Sequence, residues 1–150
     1  MNEINWQLKS FEELTNLEVY KLLKARSEVF VVEQNCVYLD TDGKDIASYH
    51  LCGWIGDELA AYVRILPAGL AFEEVSIGRV LTHPSFRSKG MGKLLMKEAI
   101  AQTEAIYGKV PVRIGAQLYL EKFYTALGFR QVSDQYLEDD IPHIEMLLSK

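Results

Sequence analysis

The chain has 150 residues, of which 49% are apolar and 25% charged, and this composition predicts one folded domain spanning residues 1–150. Its net charge of −5 argues against nucleic-acid partners, which need a basic face, and favours a cationic partner. No apolar run approaches the roughly 20 residues of a membrane span, and residues 1–10 lack a signal-peptide pattern. We therefore expect a cytoplasmic protein without a membrane partner, in which Cys36 and Cys52 are free thiols.

The first elements are predicted to be a short strand and a long helix. The strand covers residues 5–9. The helix begins after Thr15, because Thr15 and Glu18 form the S/T-x-x-E pattern of a capping box. Its apolar stripe also carries Arg26 and Glu33. Charges that break a local pattern in this way tend to mark functional or strained positions.

The rest of the chain alternates between strand and helix patterns. The pair Gly56-Asp57 suits a tight hairpin turn, and Gly128 suits the C-terminal cap of a helix. The predicted elements are strands over 46–55, 58–66 and 75–82, a helix over 91–106, a strand over 111–116, a helix over 120–127 and strands over 129–133 and 143–148. This order predicts an α/β (α+β) fold with a mixed sheet flanked by helices.

The segment between the third of these strands and the next helix carries the clearest chemical signal. Gly90 and Gly92 let the backbone approach a ligand closely, and the helix that follows offers unpaired N–H donors at its start. Basic residues gather at the same helix end, where the helix dipole disfavours positive charge: Arg87, Lys89, Lys93 and Lys97. Together these features favour an anion site suited to a pyrophosphate.

Other interpretations of this segment are weaker or fail on single residues. A solvated basic patch beside a glycine turn remains an alternative. A Walker A loop needs Ser or Thr where Leu94 stands, and a dinucleotide fingerprint needs Gly where Leu95 stands.

The acidic residues Asp40, Asp42 and Asp45 invite a calcium-binding interpretation. An EF-hand loop needs Gly at its sixth position and Glu at its twelfth, but here Gly43 comes fourth and Leu51 stands at the twelfth. An Asx-type turn is favoured instead, and no metal site is predicted.

Residues 87–92 resemble the R/Q-x-x-G-x-G/A signature of GNAT acetyltransferases, in its usual place between a strand and a helix. Residues 120–129 are similar to a second stretch of that family, F-Y-x-x-x-G-F. More narrowly, the chain resembles the ElaA-like branch over nearly its whole length, at residues 29–34, 40–43, 77–80, 115–117, 123–124 and 141–144. The resemblance implies a splayed sheet, acetyl-CoA inserted between two strands, and direct acetyl transfer without an acyl-enzyme.

The resemblance also implies roles for individual residues. Tyr124 is the candidate general acid for the departing thiolate, although its place on the apolar helix stripe equally fits a core tyrosine. The candidate residues for binding acetyl-CoA are Val80, Leu81, Thr82, Arg87, Ser88, Lys89, Gly90, Met91, Gly92, Lys93 and Gln117.

The acceptor side is less well defined by the sequence. The candidate substrate-binding residues are Arg26, Glu33, Glu74 and His143, and the last three are candidates for the base or proton relay. Glu33 is expected to face a pocket rather than to neutralise Arg26, which lies about 10 Å away along the helix. A solvated Glu33 at a frayed helix end and a structural His143 are the alternatives.

The expected reaction is transfer of an acetyl group to a primary amine, on either a small molecule or a protein. A non-catalytic acyl-CoA-binding domain on the same fold is the alternative. The identity of the amine and the oligomeric state stay open, and a homodimer is among the states that the sequence allows.

Overall fold

A computed structural model describes residues 3–149, apart from the side chains of Ser88 and Lys89. The chain alternates between strands and helices, and a π-helical segment, Ser27–Glu33, continues the first helix. The elements are β1 Asn5–Ser10, α1 Asn16–Arg26, β2 Tyr49–Ile55, β3 Glu58–Leu66, β4 Val75–Thr82, α2 Met91–Tyr107, β5 Val112–Gln117, α3 Glu121–Ala126, β6 Arg130–Gln131, β7 Tyr136–Glu138 and β8 Ile141–Leu148.

The strands form a single mixed sheet in the order β1-β2-β3-β4-β5-β8-β6, and β7 also pairs with β8. Only the β4–β5 pair is parallel among the pairs described. The sheet is covered on both faces, because α1 and α2 both pack on β3. Successive strand residues point to opposite faces, so Tyr62 packs under α1 while Val63 packs under α2. The predicted mixed sheet flanked by helices is confirmed.

β4 and β5 diverge almost as soon as they pair. Their register includes only Val75 with Val112 and Ser76 with Arg113, although both strands run on beyond these pairs. On its other edge β4 stays paired with β3 through Thr82. The sheet therefore opens between β4 and β5, which leaves a wedge-shaped gap at its centre.

A β-bulge distorts β4 at the start of this gap. Gly78 pairs with Arg64 and Leu81 pairs with Tyr62, so two residues of β4, Arg79 and Val80, face one residue of β3. Arg79 adopts a positive φ of 51°, which is uncommon outside glycine. The bulge turns the backbone of β4 where it borders the gap.

The local start and turn signals in the sequence are confirmed. The Thr15 side chain accepts a hydrogen bond from the Glu18 amide, and Glu18 reaches back to the Thr15 amide, as a capping box requires. Gly56 takes a positive φ of 60° in the turn between β2 and β3. Cys36 and Cys52 are both free thiols.

Two strand predictions were wrong in extent, and one strand was missed. The strand predicted over 46–55 begins only at Tyr49, because a turn bonds the Ser48 amide to the Asp45 carbonyl. The strand predicted over 129–133 shrinks to Arg130–Gln131. The missed strand is β7, which joins β8 through Asp139 and Asp140, both at positive φ as in a two-residue hairpin turn.

Across residues 3–149, none of the helices combines the length and the apolar content that a membrane crossing requires.

Candidate active site

A cavity of about 610 Å³ fills the gap between β4 and β5. This volume lies in the usual range for small-molecule sites. Its walls come from β4, β5, β8, α3 and the π-helical segment, so elements far apart in the sequence meet there. The cavity collects most of the site residues predicted from the sequence: Glu33, Val80, Leu81, Thr82, Arg87, Gly92, Gln117, Tyr124 and His143.

One wall of the cavity is an open strand edge. From Ile77 onward, the edge of β4 that faces β5 has no strand partner, so its backbone N–H and C=O groups border the cavity. The side chain of Leu81 is buried in the core, so Leu81 can meet a ligand only through its backbone. An extended ligand with amide groups can bind such an edge as an added strand does.

The edge leads to the start of α2. A 3-10 turn, Pro84–Lys89, is followed by Gly90, whose left-handed φ of 70° turns the chain into the helix. The Leu94 amide donates to the Gly90 carbonyl at 3.2 Å, which is the i to i−4 bond of the first turn. The amides ahead of Leu94 belong to the group that a helix leaves without an internal acceptor, and they suit an anion.

Individual residues of this loop differ in what they offer. The side chain of Met91 is buried in the core, whereas Lys93 is exposed at the helix start. Gly90, Met91 and Lys93 lie beside the cavity rather than in its lining. The predicted side-chain contacts of Ser88 and Lys89 lie outside the described part of the chain.

Arg87 and Glu33 form a two-pronged ion pair across one side of the cavity. Arg87 Nη2 donates to Glu33 Oε1 at 2.7 Å, Nη1 donates to Oε2, and Nε donates to the Thr82 carbonyl at 3.0 Å. The hydrogen bond from Arg87 holds the pKa of Glu33 below its ordinary value. Glu33 lines the cavity, as expected. Because its pKa is lowered, it is a poorer base than a free carboxylate.

Tyr124 extends from α3 into the same cavity. The residue is only 5% exposed, and its ring packs edge-on against Phe123 and Phe129. Burial raises the pKa of Tyr124 to about 12, so the phenol stays protonated at neutral pH. Its hydroxyl makes no hydrogen bond within the described part of the chain. The hydroxyl oxygen is not among the fully buried polar atoms that lack a partner, and Tyr124 lines the cavity, so we infer that the hydroxyl is accessible from the cavity.

His143 lines the cavity from β8, at the open end of the gap between β4 and β5. In the sheet register it stands opposite Gln117, the last residue of β5. Its ring stacks on Tyr136 with centroids 5.9 Å apart. His143 Nδ1 lies 2.7 Å from the Ile141 carbonyl, and Nε2 lies 3.7 Å from Glu138 Oε2. Glu138 and Asp139 complete this end of the lining.

A glycine-bearing loop between a strand and a helix, beside a splayed sheet, narrows the choice of protein family, and sequence comparison decides it. The family described as acetyltransferase (GNAT) domain matches residues 23–150. The chain belongs to the GNAT acetyltransferase family. This family is a family of transferases, and the match confirms the resemblance drawn from residues 87–92 and 120–129.

Close relatives of this GNAT protein have known structures. Protein ElaA of Escherichia coli K12 is 43% identical over 145 residues, covering 95% of each chain. The crystal structure of Escherichia coli ElaA superposes with a TM-score of 0.90 at 42% identity, covering 96% of this chain and 98% of that one. An acyl-CoA N-acyltransferase from Pseudomonas aeruginosa gives a TM-score of 0.93 at 40% identity, covering 98% of this chain and 100% of that one.

A more distant relative shares the fold alone. An acetyltransferase from Bacillus subtilis, solved in complex with CoA, has a TM-score of 0.63 at 23% identity and covers 99% of each chain.

Two predicted substrate residues of this GNAT protein do not line the cavity. Arg26 is fully buried and donates to Asp40 at 2.9 Å and to Asp45 at 2.6 Å, so it has no surface left for a substrate. Glu74 is held by Arg113 through both oxygens, at 2.8 and 2.9 Å, and lies outside the lining. The assignment of Arg26 to substrate binding was therefore wrong, because its guanidinium is fully buried in ion pairs, while Glu74 is engaged by Arg113 away from the cavity.

Sequence reasoning missed the ion-pair network that contains Arg26. We call it the arginine–aspartate cluster, and its members are Arg26, Arg64, Arg79, Asp40, Asp42 and Asp45. An Asx turn is present at Asp42, whose side chain accepts from the Lys44 amide, but the carboxylates mainly bind arginines. Within residues 3–149, no group of three or more His, Cys, Asp or Glu is placed to hold a metal ion.

The sequence does contain a signal for this cluster. Arg26 lies on an apolar helix stripe, and Arg64 lies within the otherwise apolar strand β3. Buried arginines require carboxylate partners. Asp40, Asp42 and Asp45 form one run of acids to which the sequence assigned no charged partner.

Proposed function

We propose that this protein transfers an acetyl group from acetyl-CoA to a primary amine, by direct attack while both substrates are bound. The observation that carries this proposal is the unpaired edge of β4, which borders the cavity and leads to the N-terminus of α2. A ligand with an extended amide-containing arm at one end and a diphosphate at the other matches this sequence of donors. Acetyl-CoA has both parts, and the solved CoA complex of the Bacillus subtilis relative has the same fold.

The residues of the open edge suit the pantetheine arm. Backbone groups of Val80 and Thr82 would pair with its amides as a neighbouring strand would, and both residues line the cavity beside the bulge at Arg79. One of these N–H groups would also stabilise the oxyanion that develops on the acetyl carbonyl, an effect worth about 3 kcal/mol for a preorganised donor.

The loop before α2 suits the pyrophosphate. The amides of residues 88–93 would hold it at the helix N-terminus, with the exposed Lys93 nearby. Arg87 would add a charge-assisted contact, but it must first loosen its ion pair with Glu33. Glu33 and the diphosphate therefore compete for the same guanidinium.

Tyr124 is the proposed partner of the leaving sulfur. Its hydroxyl has a proton to donate and no other described partner to give it to. Burial raises the pKa of Tyr124 to about 12, and the same surroundings would raise the pKa of a thiol held beside it. Tyr124 would therefore stabilise the departing thiolate by donating a hydrogen bond, and solvent protonates the thiolate after it leaves the site.

Direct attack also fits the state of the cysteine that lines the cavity. Burial, with the nearby Asp139 and Asp140, raises the pKa of the Cys36 thiol. Cys36 donates its S–H to the Asp139 carbonyl at 3.7 Å. Since the thiolate is the nucleophilic form, a thiol with a raised pKa is a poor candidate for carrying the acetyl group.

Ligand-dependent melting and product formation test the proposal together. A hundredfold excess of acetyl-CoA over its dissociation constant should raise the melting temperature by roughly 5–10 °C, whereas ATP should not. Thiol release should then follow on adding one member of an amine panel. A melting shift without product from any amine would favour the acyl-CoA-binding alternative, and no shift at all would refute both.

A matched pair of variants locates the binding site. Gly92→Glu and Leu94→Glu each add one acid to the first turn of α2, where the helix dipole tolerates it, but only Gly92 lines the cavity. Gly92→Glu should abolish the melting shift by repelling the diphosphate, while Leu94→Glu, exposed beside it, should keep the shift. Equal behaviour of the two variants would place acetyl-CoA elsewhere.

A further inference from the structure

The tautomer of His143 follows from its contacts. Nδ1 lies 2.7 Å from the Ile141 carbonyl oxygen, and a carbonyl can only accept a hydrogen bond. Nδ1 must therefore carry a proton. In the neutral ring this leaves Nε2 as the nitrogen with a free lone pair, so the basic atom of His143 is chosen by the backbone.

Glu138 is the carboxylate placed beside Nε2. Its Oε2 lies 3.7 Å away, beyond the reach of a good hydrogen bond, and a carboxylate offers no proton to a neutral Nε2. A protonated Nε2 can donate to this carboxylate after a small shift of the Glu138 side chain, so Glu138 can orient the ring, while its own side chain stays largely exposed to solvent.

The other candidate bases lack these properties. Both terminal nitrogens of the Arg87 guanidinium donate to the Glu33 carboxylate, and these hydrogen bonds lower the pKa of Glu33. Glu74 is engaged by Arg113, with its pKa lowered for the same reason, and lies outside the cavity. His143 is nearly buried, lines the cavity, and keeps one nitrogen without a hydrogen bond among the described residues.

His143 lies at the open end of the gap. It stands opposite Gln117 at the last residue of β5, and β4 reaches the same end of the gap at Thr82, before the loop that leads to α2. The carboxylates of Glu138 and Asp139 border the same end of the cavity. A cationic amine that approaches this end is attracted by the carboxylates and meets Nε2 of His143 there.

We propose that His143 is the catalytic base and that Glu138 supports it as a positioning residue, so the acceptor is an amine that arrives as its ammonium form. This rests on the proposed acetyl transfer. Nε2 of His143 takes one proton from the ammonium group and passes it to water, which leaves a neutral amine. The amine nitrogen then bonds to the acetyl carbonyl carbon, its second proton passes to Nε2, and the carbon–sulfur bond breaks with its electron pair leaving on sulfur. His143 returns this proton to solvent and solvent protonates the thiolate, so one proton is released overall.

The first test measures the tautomer and does not depend on turnover. Long-range hydrogen–nitrogen NMR spectra of the full chain in mildly alkaline buffer should show the ring proton of His143 on Nδ1 and none on Nε2. The spectrum of His143→Gln identifies the signals, since the chain has three histidines. A proton on Nε2 would overturn the proposal whatever the activity.

The second test compares acceptors of different basicity with acetyl-CoA: spermidine, L-lysine and n-butylamine against the weakly basic methoxyamine. His143→Gln should lower kcat with the strongly basic amines by roughly 10²- to 10⁴-fold, as loss of a general base does. Methoxyamine arrives neutral and needs only the proton transfer that follows attack, so its rate should fall less. An equal loss with every amine would reduce His143 to a structural residue.

Two surface variants keep the test sharp even if His143→Gln folds poorly. Glu138→Gln should show the same preference for methoxyamine with a smaller loss, whereas the matched Asp140→Asn should leave all rates unchanged. Asp140 is exposed, lies two residues away and is absent from the lining. Wild-type protein that acetylates none of the amines would refute the proposed function itself, while unchanged rates in Glu138→Gln and His143→Gln would refute this inference alone.

Discussion

The two sides of β4 use polar groups in opposite ways. On one side the arginine–aspartate cluster joins α1, β3, β4 and the loop before β2, and its carboxylates are matched by arginines. On the other side, the β4 edge has no strand partner from Ile77 onward, and the Tyr124 hydroxyl and Nε2 of His143 make no hydrogen bond among the described residues. The comparison suggests a general distinction: paired buried charges hold this fold in place, and unpaired groups at a cavity await a ligand.

Arg79 connects the two regions. Its backbone forms the bulge in the cavity wall, while its guanidinium donates to Asp40 at 2.8 Å and lies over the Tyr38 ring. The strained backbone is thus stabilised by the cluster behind it, as local strain usually requires. Within residues 3–149, Arg64 Nε is the one fully buried side-chain polar atom without a partner, so the cluster is nearly but not completely satisfied.

The largest expected effect comes from breaking the cluster at Arg26. Burial alone would lower the pKa of Arg26, but hydrogen bonds and charges from Asp45 and Asp40 outweigh burial and raise it. Arg26→Met should therefore leave two buried carboxylates short of a partner and lower the free energy of unfolding by about 3–5 kcal/mol. Urea denaturation monitored by circular dichroism measures this change.

The matched control for this experiment lies on the same helix. Lys24 forms an exposed ion pair with Glu28, so Lys24→Met should cost less than about 0.5 kcal/mol. If the two variants lost similar stability, the cluster would contribute little, and its contrast with the cavity would disappear.

The next largest effect is expected at Tyr124 in the cavity, where a substitution should lower kcat without changing stability. Tyr124→Phe removes one hydroxyl that has no described partner, so the free energy of unfolding should change by less than about 0.5 kcal/mol. Loss of a donor aimed at developing negative charge should lower kcat by roughly 10²- to 10³-fold, with binding of acetyl-CoA unchanged. Tyr20→Phe, which alters an exposed tyrosine on α1, is the control. Full activity in Tyr124→Phe would exclude Tyr124 from the reaction.

Much of this comparison could be predicted from the sequence, but unevenly. The glycine loop and its cations predict an anion site, because backbone freedom and charge at a helix start are local properties. The periodicity around Tyr124 located its helix, and the family motif assigned it a role. The open edge of β4 was not derivable from the residues of β4, since its sequence matches that of any buried strand.

The partners of charged residues were the main failure. Arg26 and Asp40 are fourteen positions apart, and Glu33 and Arg87 are fifty-four apart, so no local pattern connects either pair. Arg26 and Glu33 share a helix stripe, yet one is fully buried and the other sits at the cavity. The tertiary neighbours, rather than the helical period, decided which of the two charges was structural.

The smallest expected effect concerns Glu33, where a structural ion pair and the ligand site meet. Glu33 and Arg87 are both partly exposed, and exposed ion pairs contribute only about 0.2–1 kcal/mol. Glu33→Gln should therefore free Arg87 and tighten CoA binding by up to about fivefold, a gain that high salt should reduce. The control is Glu28→Gln, which removes the same charge five positions earlier and should leave the affinity unchanged. Isothermal titration with CoA at two salt concentrations measures both variants.

Weaker CoA binding in Glu33→Gln would mean that Glu33 holds Arg87 in place for the diphosphate. Unchanged affinity with a collapse of amine turnover would instead return Glu33 to the role of the base.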